Sequence, residues 1–306
     1  MEATSNQRII ENLFLKKRLL EAGDPEHIKI RPVLLILGGG MRGVSGAGSA
    51  ISISGLGLKD VFDVVVGVSA GAAIGAYFLS GLLPMINGAT IYHVDLAPRI
   101  KLSRRPVIDV DFVEALLRHG RKRLNVGSVL SARSQFFVSA TCLDDMKSVL
   151  VDAKEARPDM ISAIKASMAI PGMYNKLVTV NDKLYIDGGT NPLPAKDVVD
   201  RFNPTDILII ANCTEEDWNN CKLTLVERLL NAYFLRDVAP DICEAWRLRY
   251  DRWHDGVNFL NALQGVNVGV LWTRDNIGLL TSNSERLKRS SDSAIRETLD
   301  FFDKAT

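Results

Sequence analysis

Ser69 stands at the centre of Gly67-Val68-Ser69-Ala70-Gly71, a G-x-S-x-G spacing that lifts a serine onto a sharp turn between a strand and a helix. Such a turn brings the residues two before and two after the serine together, so Gly67 and Gly71 must lack side chains. The next residues, AAIGAYFLSG, form a helix whose N-terminal N–H groups and positive dipole end point toward the serine. A serine so placed can attack a carbonyl if a base takes its proton and donors receive the oxyanion. A second stretch, LLILGGGMRGVSG over residues 34–46, offers the donors. Its Gly38, Gly40 and Gly43 fit G-x-G-x-x-G, which serves either a dinucleotide or another anion. A dinucleotide loop needs an acidic residue closing the second strand to hold the ribose. Asp63 has about the right spacing but opens that strand, so the loop reads better as bare backbone N–H groups facing a tetrahedral oxyanion. Arg42, inside the loop, either supports it, braces it by a salt bridge or attracts a phosphate. A third stretch, LYIDGGTNPLP over 184–194, offers the base: a strand ends at Asp187, and Gly188-Gly189 let the chain turn so that the carboxylate reaches inward. Taken singly, the serine turn is equally a small-residue strand–helix crossing, and the Asp-Gly-Gly an ordinary turn.

The four histidines, His27, His93, His119 and His254, stand in no telling motif. The chain order Ser69, Asp187, His254 would suit a serine–acid–histidine triad. His254, however, lies in the charged run RLRYDRWHDGVNFL beside Asp251 and Asp255, the context of a surface or helix-end histidine. The local pattern therefore favours Asp187 acting on Ser69 directly.

These residues need a scaffold that brings loop, serine and carboxylate to one edge. Strand-length apolar runs lie at 33–37, 63–66, 135–142, 147–152, 183–186, 206–211 and 266–272. Helical patterns lie at 6–22, 43–57, 70–82, 109–119, 158–167, 221–236, 240–262 and 284–303. Alternation of the two predicts an α/β three-layer sandwich with a mostly parallel central sheet, and 135–152 reads as a hairpin across LDDM. In a parallel sheet both the glycine loop and Ser69 fall at the carboxyl edge. Residues 64–86 carry no charge over a length that could span a bilayer, but the run starts β-branched, breaks at Gly67 and lacks flanking Lys or Arg. A buried strand followed by a buried helix explains it better. Residues 242–263 form a helix rich in Trp, Tyr and Arg; a packed aromatic face with a solvated charged one is the leading reading, an anionic membrane surface the alternative. The 306 residues are 47% hydrophobic with net charge +1, enough for a large core and no sign of a nucleic-acid partner. Four cysteines without a C-x-x-C pair suit reduced thiols in the cytoplasm, and the charged N-terminus lacks the features of a signal peptide.

In order along the chain, Gly38-Gly39-Gly40-Met41-Arg42-Gly43, Gly67-Val68-Ser69-Ala70-Gly71, ASMAIPGMY at 166–174 and Asp187-Gly188-Gly189 resemble the signatures of the patatin-like phospholipases. The resemblance runs from about residue 32 to 212, and beyond it no catalytic motif matches. It implies a patatin-like fold and a Ser–Asp dyad that hydrolyses acyl esters of lipids or phospholipids, with no histidine, cofactor or metal. It implies Ser69 as nucleophile and Asp187 as base, with Gly38, Gly39 and Gly40 forming the oxyanion hole, Gly39 and Gly40 as its donors. Arg42, Gly43, Gly67, Gly71, Gly188 and Gly189 complete the supporting motifs. Leu37 stands where the family usually has Asp. The expected organisation is a helical extension at 1–30, a catalytic core at 31–212 and a mostly helical completion of the same domain at 213–306. The expected setting is cytoplasmic with peripheral membrane contact. The rivals are a nucleotide-binding oxidoreductase using the Gly38–Gly43 loop and a non-catalytic lipid-binding member, against which intact Ser69 and Asp187 argue.

Overall fold

The computed structural model describes residues 3–101, 106–174, 176–222 and 225–303. One eight-stranded sheet organises them. Its strands are β1 (Pro32–Ile36), β2 (Val64–Val68), β3 (Gln135–Cys142), β4 (Ser148–Asp152), β5 (Val178–Val180), β6 (Lys183–Asp187), β7 (Asp206–Ile210) and β8 (Asn267–Leu271). The order across the sheet is β5-β6-β3-β2-β1-β7-β8, with β4 pairing β3. β8, β7, β1, β2 and β3 are parallel, whereas β4, β5 and β6 run antiparallel to their neighbours.

Period-two alternation sends successive side chains to opposite faces, and both faces are covered. Leu34, Ile36, Val65, Leu208 and Ile210 enter one core, beneath the helices Ala3–Glu21, Gly43–Gly55, Ala70–Ser80 and Ser284–Asp303. Val33, Leu35, Val64, Val66, Ile207 and Ile209 enter the other, beneath Ala195–Phe202 and Arg249–Ala262. The result is the expected three-layer α/β sandwich with a mostly parallel sheet.

The predicted hairpin is present: β3 and β4 pair antiparallel, Phe137 facing Asp152 and Thr141 facing Ser148. The uncharged run 64–86 becomes β2, the buried helix Ala70–Ser80 and the start of a separate helix, Leu82–Thr90, where the sequence predicts one helix over 70–82. Gly81, at φ 107°, makes the break, because the left-handed region ends a helix at little cost for glycine. Among the described residues no helix is long and apolar enough to cross a membrane. The predicted helix 240–262 is likewise two, Pro240–Arg247 and Arg249–Ala262, joined at Leu248; the Arg249 guanidinium donates to the Trp246 carbonyl in the first helix's last turn. The predicted 221–236 helix runs Leu225–Phe234, and residues 223 and 224 lie outside those described.

Candidate active site

β3 acts as a ruler for the site. One of its edges is bonded to β4. Along the other, β2 pairs as far as Val68 opposite Ser139, and β6 takes over with Asp187 opposite Ala140. Two chains approaching from opposite directions thus end on adjacent residues of one strand. The next residue after Val68 is Ser69, and Asp187 is the last of β6. Their side chains meet: the Ser69 hydroxyl donates to Asp187 Oδ2 at 2.8 Å.

Each partner is held by its own local device. Ser69 has φ 52° and ψ −120°, a conformation that costs a non-glycine residue about 1–3 kcal/mol and persists only where the surroundings hold it. The glycines on either side permit the turn. A Cβ on Gly71 would lie 2.1 Å from the Ile36 carbonyl oxygen, and one on Gly67 would lie 2.5 Å from Ala72 Cα. The Ser69 N–H donates to Ser167 Oγ at 2.9 Å, and the Ser167 hydroxyl donates onward to the Ser139 carbonyl at 2.6 Å. Ser167, fully buried, thereby ties the turn to the ruler strand. The sequence marks this serine only through ASMAIPGMY; its partners are backbone atoms, which no residue type announces.

Asp187 is also buried. Its Oδ1 accepts the Gly189 N–H at 2.6 Å, and its backbone N–H is tied to the Ala169 carbonyl. A Cβ on Gly188 would lie 2.2 Å from the Ser139 carbonyl oxygen, so the chain leaving Asp187 can pass only as glycine. Burial pushes the Asp187 carboxyl up to about 7, against the pull of the Gly189 N–H and the Ser69 hydroxyl, which favour its charged form.

The glycine loop closes the third side. Gly38 packs on the serine: a Cβ there would sit 3.0 Å from Ser69 Cβ. Gly39 and Gly40 have φ of 148° and 55°, which turn the loop over the site. Met41 N–H is taken by the Leu279 carbonyl, and Arg42 N–H by Gly39. Among the described residues the N–H groups of Gly38, Gly39 and Gly40 meet no acceptor in the protein. Gly43 starts the following helix against the Tyr92 hydroxyl and Ala70. Arg42 lines the cleft with its Nε buried and without a partner; it forms no ion pair among the described residues, so the bracing salt bridge is not made.

Ser69 sits between two spaces. On one side lies a narrow cavity of about 70 Å³, lined almost wholly by apolar side chains such as Ile74, Met85, Val113 and Ile170. On the other lies a wider, more polar cleft of about 400 Å³ containing Asp187, Arg42, Asn212 and Arg249.

Histidine stays apart from this site. His254 lies within the helix Arg249–Ala262, and its Nε2 faces the Cys221 carbonyl at 2.8 Å. Among the described residues no histidine bonds to Ser69 or Asp187. Asp63 lies just ahead of β2, at the end of the strand opposite to Ser69, where Lys16 and Arg133 bind it; it is not placed to read a ribose held by the loop. Among the described residues no group of three or more His, Cys, Asp or Glu side chains is arranged to hold a metal ion. Cys142, Cys213 and Cys243 carry free thiols.

Fold and site define an α/β protein with a serine–carboxylate pair at a strand–helix elbow, flanked by a loop of unpaired backbone donors. The sequence profile of the patatin-like phospholipases matches residues 34–199, more than half of the chain, and the chain belongs to that family. Membership supports lipid acyl hydrolysis as its general activity. No curated protein matches the chain. Among solved structures, the crystal structure of VipD from Legionella pneumophila is similar at 12% identity and a TM-score of 0.46, over 90% of this chain and 67% of that one.

Proposed function

We propose that this protein cleaves acyl esters of lipids or phospholipids through an acyl-enzyme on Ser69, with Asp187 as the base. The observation that carries the reading is the 2.8 Å hydrogen bond from Ser69 to the buried Asp187, made beside the unpaired N–H groups of Gly38, Gly39 and Gly40. Ser69 Oγ attacks the ester carbonyl as Asp187 accepts its proton. The loop N–H groups receive the negative charge on the carbonyl oxygen, in a site dry enough for such donors to count heavily. The tetrahedral adduct collapses, Asp187 returns the proton to the departing alcohol oxygen, and the acyl group stays on Ser69. Water entering from the polar cleft then gives its proton to Asp187, attacks, and releases the fatty acid while the proton returns to Ser69.

An ordinary carboxylate, with a pKa near 4, is a poor base; burial raises Asp187 into the useful range. Proton acceptor and oxyanion donors are both supplied by the chain, so the proposed steps route nothing through a metal. The apolar cavity suits an acyl chain, and the polar cleft suits the alcohol or headgroup portion. The free thiols of Cys142, Cys213 and Cys243 fit a reducing compartment such as the cytoplasm, from which the protein would meet membrane lipid peripherally.

The test is covalent. A fluorophosphonate probe is expected to label the wild type at Ser69, as mapped by mass spectrometry. Ser69→Ala is expected to lose both labelling and hydrolysis of short p-nitrophenyl esters while keeping its circular dichroism spectrum. A folded Ser69→Ala with wild-type turnover would sink the reading.

A further inference from the structure

The long uncharged run is not uniformly buried. It is buried through β2 and most of Ala70–Ser80, but the helix Leu82–Thr90 is different. That helix contains no charged residue, yet Leu82, Leu83 and Ile86 are 38%, 74% and 40% exposed. Their i, i+3 and i+4 spacing puts them on one outward face.

Beside this face runs Arg121-Lys122-Arg123. The two segments share a depression of about 570 Å³ in which Leu83 and Pro84 face all three basic residues, and no acidic side chain lines it. Asp95 takes the charge of Lys122; Arg121 and Arg123 are exposed. The floor of the depression is Tyr77, whose hydroxyl donates to the Lys122 carbonyl and whose ring packs on Gly88. Tyr77 also lines the narrow apolar cavity that starts at Ser69. One side chain therefore separates the outer patch from the space assigned to the acyl chain.

The Trp, Tyr and Arg residues of 242–263 do not offer a comparable face. Trp246 and Trp253 are buried, and Arg249 stacks over Trp246 and Tyr250.

We propose that Leu82, Leu83 and Ile86, with Arg121 and Arg123, dock this protein on an anionic lipid bilayer. The three apolar side chains enter the headgroup–acyl boundary, and the two guanidiniums meet lipid phosphates. Charge complementarity selects this occupant: Arg121 and Arg123, exposed beside a small, uncharged apolar face in a depression that no acidic side chain lines among the described residues, fit an anionic interface, where each basic residue strengthens binding by about fivefold. The proposal rests on the lipid hydrolase reading for its purpose, since it would hold the acyl cavity against the phase that contains the substrate. Its measurement does not depend on that reading.

The full chain is to be sedimented with vesicles of phosphatidylcholine, with and without phosphatidylglycerol, alongside Leu83→Ser/Ile86→Ser and Arg121→Gln/Arg123→Gln double variants. The wild type is expected to bind the phosphatidylglycerol vesicles at least tenfold more tightly, with affinity falling as salt rises. The arginine variant is expected to lose about tenfold or more of that affinity, and the Leu83/Ile86 variant to lose binding to both vesicle types. Both should turn over a soluble p-nitrophenyl ester as the wild type does, because none of the four residues touches the site. Ser69→Ala should bind vesicles normally, so loss of the hydrolase reading and loss of the docking surface give different results. Vesicle binding unchanged in both double variants, or absent in the wild type, would overturn the proposal. So would a concentration-dependent molecular mass that these substitutions abolish while vesicle binding persists, which would assign the patch to a second copy of the chain.

Discussion

Asp187 is held where burial resists its charge while the Gly189 N–H and the Ser69 hydroxyl favour it. Burial pushes its carboxyl up to about 7, so the ionised form, the base of the proposed reaction, accumulates only as pH rises through neutrality. The kcat/KM of ester hydrolysis is therefore expected to climb along a single limb centred near pH 7 and level off above it. Stability moves the other way. The unfolded carboxyl titrates near 4, so between about pH 4 and pH 7 the folded chain keeps a proton that the unfolded chain releases. The stability this provides is fully present below pH 4 and is lost as pH rises through 7. Asp187→Asn is expected to lower turnover by about a thousandfold or more, because the amide cannot accept the proton. It should also melt a few degrees above the wild type at pH 8 and close to it at pH 4, a comparison thermal denaturation at two pH values can make. Among the described residues the Ser167 hydroxyl bonds only backbone atoms, the Ser69 N–H and the Ser139 carbonyl. Ser167→Ala strands the Ser69 N–H and the Ser139 carbonyl, costing about 1–3 kcal/mol of stability. Its expected kinetic mark is a kcat and a fluorophosphonate labelling rate reduced about ten- to a hundredfold, with KM and the pH limb near 7 unchanged, since the base itself keeps its surroundings. A shifted limb would instead place Ser167 in the titrating unit.

At the scale of elements, the register of β3 sets the spacing of the pair, and the glycines let the flanking chains come close enough to use it. Gly71→Ala is the sharpest probe of that closeness, since its Cβ would fall 2.1 Å from a strand carbonyl. The substitution is expected to destabilise the fold by about 2–4 kcal/mol in urea titration and to abolish labelling of Ser69 even where the protein remains folded. Much of this was legible beforehand. β1, β3, β7 and β8 are long enough, and apolar enough on both faces, for composition to reveal them, and Gly67, Gly71, Gly188 and Gly189 mark turns that only small residues can make. What escaped has specific causes. Val178–Val180 is too short for period two to register. Leu82–Thr90 contains Pro84 and Gly88, which read as breakers, although Pro84 lies within the first turn, where no N–H is needed. Ala195–Phe202 begins directly after Pro194 and alternates apolar with charged residues over only two turns. The head-to-head meeting of β2 and β6 on one strand could not be read at all, because register between distant segments leaves no trace in either of them.

Across the whole molecule, the last helix completes the layer that carries the glycine loop. Ser284–Asp303 lies along Gly43–Gly55, with the Ser45 and Ser290 hydroxyls 2.8 Å apart, the Ser52 hydroxyl donating to the Ile295 carbonyl and Phe302 buried in the core. A Cβ on Gly48 would lie 2.4 Å from the Ser291 carbonyl oxygen, so the two helices touch backbone to backbone. Ending the chain at Asn283 is expected to expose Val44, Ala47 and Ile53 and to leave an aggregating chain without a cooperative melt, as calorimetry would record. The polar cleft is walled differently, by side chains such as Trp246, Arg249 and Tyr250 on the helices Pro240–Arg247 and Arg249–Ala262, which add no strand to the sheet. Ser69 and Asp187 thus stand at the ends of strands paired to β3, while the outer wall stands on helices laid beside the sheet. In the proposed reaction, the spacing of the reacting atoms is therefore set by strand register, and the shape of the space offered to a bulky guest by side chains on helices, so each can be altered by substitution without touching the other.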